Sequence, residues 1–235
     1  MSDNTPTREI LSEPLSPVLF GAYTTLISVT QGVALGAGFF ILTETKNIDL
    51  VFIFKAFMTF IAVCLVWHRF ITFTQYLVWR LGFFDTLIPM SFAILEVFVV
   101  LAIPESTSYF FWVFCFLPLV GAFSYFYARN RFATREANDY VHRFFKKKNY
   151  DFAADFLQEM NAFAWQGLFV MLSLAAYCVL VSIFIDKVPV SLLSEEMKTY
   201  LSTGVFTAWL IVLFYFDVPR KLNHSKRESL KVIQW

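Results

Sequence analysis

Apolar runs long enough to cross a bilayer recur along almost the whole chain. A spanning helix needs about 20 such residues. A soluble domain is about 45–50% apolar, whereas this chain of 235 residues is 58% hydrophobic and 20% aromatic, with 30 Phe. Lipid is therefore the solvent for most of it, and backbone in lipid must satisfy its own hydrogen bonds, as a helix does. The pattern predicts an all-α integral membrane protein with six transmembrane helices and a cytoplasmic helical hairpin between spans four and five. Residues 1–16 read as a polar N-terminal tail. Spans one to four fall in 17–127, the hairpin in 128–164, spans five and six in 165–216, and a basic tail in 217–235.

The stretch from Ile48 to Ile103 carries charges where hydrocarbon is expected. Lys55 lies inside the second span and Glu96 inside the third, with His68, Arg69, Arg80 and Asp85 around the turn between them. If the two spans form one antiparallel hairpin centred near Tyr76, Lys55 comes level with Glu96, and His68 level with Asp85. At a rise of 1.5 Å per residue, the first pair would lie roughly 10 Å below one surface. A lone charge at such depth costs about 2.5–3.5 kcal/mol on insertion scales, so these residues usually pair or line water. Three readings follow: a polar pathway with two charged stations, a buried ion pair that fixes helix register, or a Lys55 that snorkels to its nearby surface.

The first span has one face of small, weakly polar residues, namely Gly21, Thr25, Ser28, Gly32 and Gly36. In lipid, small residues let helix backbones approach closely. Gly32 and Gly36 form GxxxG, a common pattern that favours packing within the chain ahead of a homo-oligomer. Gln31, the span's lone amide, either bonds across helices or faces a polar cavity. Pro89 falls in the first turns of span three, and Pro118 and Gly121 fall mid-way along span four. Each is a place to bend.

Residues 128–164 form the one sizeable polar section. Ala133, Ala137, Tyr140 and Phe144 recur at helical spacing, as do Ala153, Phe156, Met160 and Phe163. Asn149 and Asp151 offer a stop and an N-cap between them. The hairpin carries Arg129, Arg131, Arg135, Arg143, Lys146, Lys147 and Lys148, a surface for a cytosolic protein partner or for anionic headgroups. Loop charges alternate. Arg8, Arg69, Arg80, the hairpin and the tail with Arg220, Lys221, Lys226, Arg227 and Lys231 fall on one side. The other side holds Lys46, Lys187 and Lys198 amid Glu44, Asp49, Glu105, Asp186, Glu195 and Glu196. The positive-inside rule puts both termini in the cytoplasm of a cell (inner or plasma) membrane.

No phosphate-binding, zinc-protease or nucleophile-elbow motif occurs. Cys64, Cys115 and Cys178 sit in apolar runs without metal-ligand spacing, which reads as small buried hydrophobes. No metal site, cofactor or catalytic set is expected, and a net charge of +1 gives no reason to invoke nucleic acid. Nothing at the N-terminus resembles a cleaved signal. Two function classes remain. One is an ion or proton conduit through Lys55, Glu96, His68, Arg69, Asp85 and Gln31. The other is a non-catalytic sensor or scaffold subunit that recruits a cytosolic partner through the basic hairpin.

Overall fold

A computed structural model gives the fold and describes residues 15–46, 48–74, 83–135, 138, 139, 142, 153–187 and 194–215. The described residues are mostly helical, with short turns between helices and no strand. Helix α1 spans Leu15–Glu44, α2 Leu50–Thr74 and α3 Phe83–Leu101. Helices α4 (Thr107–Phe114) and α5 (Phe116–Phe132) continue one another, α6 spans Ala153–Phe184 and runs into a 3-10 turn at Ile185–Lys187, and α7 spans Glu195–Tyr215. The helices therefore make six rods. Four stretches are long and apolar enough to cross a membrane: Leu50–Phe70, Phe83–Leu101, Thr107–Phe132 and Met160–Lys187. Their outward faces are apolar too. Phe39, Phe83 and Phe169 are all more than 60% exposed, which suits a protein surrounded by lipid rather than water.

Three helices begin at one end of the bundle, each with a side-chain cap. The Phe52 N–H donates to Asp49 Oδ1 at 2.7 Å, the Tyr109 N–H to Ser106 Oγ at 3.3 Å, and the Met197 N–H to Ser194 Oγ at 3.2 Å. Each satisfies a backbone donor that the first helical turn leaves open. This Glu105 end is also laced by hydroxyls. Thr107 and Thr199 bond at 3.0 Å, Ser108 donates to the Ser182 carbonyl at 2.6 Å, and Tyr177 donates to the Ser202 carbonyl at 3.0 Å. Beneath them lies an aromatic core of Phe110, Phe111, Phe114 and Phe206, all essentially inaccessible. The Phe114 and Phe206 rings meet edge to face at 4.9 Å, an arrangement aromatic pairs favour.

The opposite, Arg129 end is held by α5 against α6. A Cβ built at Gly121 meets Met171 Sδ at 3.0 Å, and one built at Gly167 falls 2.4 Å from the Tyr125 ring. The two backbones come this close because both positions are glycine. Towards the same end, Ala128 and Phe132 pack with Leu157 and Met160. Met160 and Phe163 of α6 thus lie against α5. Of the expected hairpin, Arg143 and Lys146 to Lys148 lie outside the described residues, as do Arg80, Tyr76, residues 1–14 and residues 217–235.

The fourth span breaks at Cys115. Pro118 has no N–H to give the Phe114 carbonyl, and the rod changes from α4 to α5 one residue past Phe114. Cys115 keeps helical dihedrals (φ −61°, ψ −23°), so the break is a bend in a continuous rod. One expectation fails outright. A Cβ at Gly21, Gly32 or Gly36 would meet nothing within 4 Å. Among the described residues the GxxxG face does not pack within the chain, because α1 turns Gln31, Ala34 and Ile41 inward instead.

Candidate functional site

The helices are offset more than a symmetric hairpin allows. Lys55 on α2 donates from Nζ to the Glu105 carbonyl at 2.5 Å and lies 5.6 Å from the Phe110 ring centroid. Glu96 on α3 lies close enough to Cys64 to act on it electrostatically. Phe70 packs edge to face on Phe92 at 5.4 Å. These three contacts agree on one register, in which Glu96 lies roughly nine residues, about 13 Å, further along α2 than Lys55. The expected Lys55–Glu96 pair is therefore not formed. The cause is length. Helix α3 stops at Leu101 and the chain turns back through 102–106 before reaching the start of α2. Arithmetic that ends both spans at one level slides every partner toward the turn.

Lys55 is 3% exposed, and its ammonium is tied to the backbone carbonyl of Glu105, in the turn that follows α3. Asp49 and Glu105 are the carboxylates whose field it feels.

Glu96 is placed differently. It is fully inaccessible, and its Oε1 accepts from Gln31 Nε2 at 2.8 Å. Gln31, near the middle of α1, is 7% exposed. Glu96 Oε2 and Gln31 Oε1 are both buried without a hydrogen-bond partner. Met58, Phe92, Val99 and Val100, all buried, belong to the main hydrophobic core. An amide and a carboxyl thus meet mid-span, each with one oxygen unspent.

The third group lies at the Arg129 end. Asp85, 6% exposed, accepts from the Tyr127 hydroxyl at 3.1 Å, which ties α3 to α5. Arg131 lies near enough to act on Tyr127 electrostatically. His68 and Arg69 are half-buried on α2, and the Arg69 guanidinium lies 5.4 Å from the Phe163 ring centroid. Arg129 stacks on Trp165 at 4.2 Å. Arg135 is exposed and pairs with Asp139 at 3.9 Å.

Of the six candidate pathway residues, the structure joins Gln31 to Glu96, sends Lys55 to one end and leaves His68, Arg69 and Asp85 toward the other. Residue types alone gave no sign of Tyr127 as Asp85's partner, or of buried Lys198, Thr199, Ser202 and Thr203 at the start of α7. The clustering of Ser202, Thr203 and Thr207 was the available signal for the latter. Among the described residues no three His, Cys, Asp or Glu gather as a metal site. Comparisons of the chain with family models, curated proteins and solved structures found no match.

Proposed function

We propose that this is a six-span membrane protein that moves protons or small cations, with Glu96 and Gln31 as its central station. The observation that carries the reading is the pair's two unspent oxygens, Glu96 Oε2 and Gln31 Oε1, both buried mid-span. A carboxyl so far from water avoids an unpaired charge by holding a proton or a cation, and ionisable groups in such places mark ion and proton routes. Two unspent oxygens are enough to bind a proton, whereas a dehydrated cation would need several more ligands. Proton transfer is accordingly the favoured form. The burial of both residues suits a carrier that opens to each side in turn better than an open pore.

In this reading the Glu105 end is extracellular or periplasmic, the Arg129 end is cytoplasmic, and α1 and α7 are the first and sixth spans. The small-residue face of α1 is left for a second copy. No side-chain set for bond-making chemistry is invoked, so the protein is read as a non-enzyme.

The test is proton and cation flux into liposomes holding the purified chain, beside Glu96→Gln. The expected result is flux in the wild type that Glu96→Gln abolishes while the variant keeps its helicity and melting temperature. A folded Glu96→Gln protein with undiminished flux would overturn the reading. The scaffold reading has its own support in α6, whose 32 residues, about 48 Å of helix, exceed a hydrocarbon core of about 30 Å. Loss of flux from every ion and pH condition would move the search to whatever binds that projection.

A further inference from the structure

Arg129 occupies the last turn of α5, where the carbonyl end of the helix favours a cation. Its guanidinium lies 4.2 Å from the Trp165 ring centroid. Trp165 in turn stacks on Phe169 at 5.4 Å with the rings 16° apart. A cation, an indole and a phenyl ring thus form one column along α6. No carboxylate or carbonyl among the described residues takes the Arg129 charge, and its Nε is buried without an acceptor. The guanidinium is held against the indole, and no described residue neutralises its charge.

What adjoins it is lipid-facing surface. Trp165, Phe169 and Leu172 form one exposed stripe on α6, and Phe126, one turn before Arg129, is exposed on α5. The seam between the two helices is shallow, because Gly121 and Gly167 bring them close together. An occupant must be anionic at the Arg129 level and apolar below it. A soluble anion matches only the first requirement and a neutral lipid only the second.

We infer that this column is a binding site for one anionic phospholipid, its phosphate on the Arg129 guanidinium and an acyl chain along Trp165, Phe169 and Phe126. Arginine suits the phosphate because its planar donors match phosphate oxygens, while its face stays on the indole. The site stands apart from the Glu96 station and does not depend on it.

Native mass spectrometry of the purified full chain tests this, with phosphatidylglycerol or phosphatidylcholine added to the detergent. The wild type should retain phosphatidylglycerol in preference to phosphatidylcholine. Arg129→Gln should lower phosphatidylglycerol retention about fivefold, the worth of one arginine near an anionic headgroup. Arg135→Gln, removing an exposed arginine off the column, should change nothing. Equal retention of the two lipids by the wild type would overturn the site without recourse to any variant. So would a folded Arg129→Gln protein that binds phosphatidylglycerol like the wild type, or an equal loss in Arg135→Gln, which would mean that basic charge alone attracts the lipid.

Discussion

Gln31 and Glu96 hold each other across two helices by one 2.8 Å hydrogen bond, and each keeps a side-chain oxygen that no described residue meets. Helices α1 and α3 are joined by this bond through the interior, while Lys55, once the natural counter-ion, is committed to the Glu105 carbonyl. The two acidic and basic centres should therefore behave as strangers. In a double-mutant cycle, Lys55→Met and Glu96→Gln should add to within about 0.5 kcal/mol, as distant sites do. Gln31→Leu with Glu96→Gln should instead couple by about 0.5–3 kcal/mol, as groups in contact do. Reversible unfolding in mixed detergent measures both cycles. Strong coupling to Lys55 would restore the ion pair and remove the basis for treating Glu96 as a lone station.

Glycine matters at one pair of positions and not at another. A methyl at Gly167 would enter the ring of Tyr125, which is buried and packs edge to face on Phe163. Gly167→Ala should destabilise the protein by about 1–3 kcal/mol, the usual cost of overpacking a core. Gly36→Leu meets open space and should leave the isolated chain's unfolding within about 0.5 kcal/mol of wild type. Thermal unfolding at low protein concentration gives both numbers. A large loss from Gly36→Leu under those conditions would mean that the small-residue face has a partner within the chain after all.

How much of this was legible beforehand depends on what kind of information each feature needs. The helical class and the positions of spans two to five follow from local composition, which any window of the chain displays. Gln31 stood out as an amide in hydrocarbon, and Glu96 as a carboxylate there. Their union could not be read, because it depends on the offset between α1 and α3. The Lys55 partner was missed for a related reason. It is a backbone carbonyl at Glu105, and every residue has a carbonyl, so no residue type marks it. The GxxxG face misled because its meaning depends on which neighbour is present.

The Asp85–Tyr127 bond offers a cleaner measurement than the Glu96 site, since Tyr127→Phe removes one oxygen and little else. The hydroxyl donates to a carboxylate that is 6% exposed, and hydrogen bonds to charged groups contribute about 1.5–3 kcal/mol. Tyr127→Phe should cost about that much in unfolding free energy. If the phenylalanine variant is as stable as wild type, the bond plays no part in holding α3 to α5, and Asp85 becomes a candidate for a role in transfer instead.

Cys64 provides a reporter beside the central station. It is exposed on α2, whereas Cys115 and Cys178 are buried, and Glu96 acts on it from α3. In detergent, N-ethylmaleimide should modify Cys64 alone, with Cys115 and Cys178 reacting only after unfolding. In lipid vesicles a permanently charged thiol reagent should reach none of the three, because the exposed face of Cys64 abuts acyl chains and the surrounding core excludes water from the Glu96 side. Mass spectrometry of peptides carrying each cysteine distinguishes them. Modification of Cys64 by the charged reagent in vesicles would mean that water reaches the level of Glu96 in the resting protein. The station would then be part of an open aqueous path rather than an occluded one, and a carrier that exposes it alternately would give way to a channel.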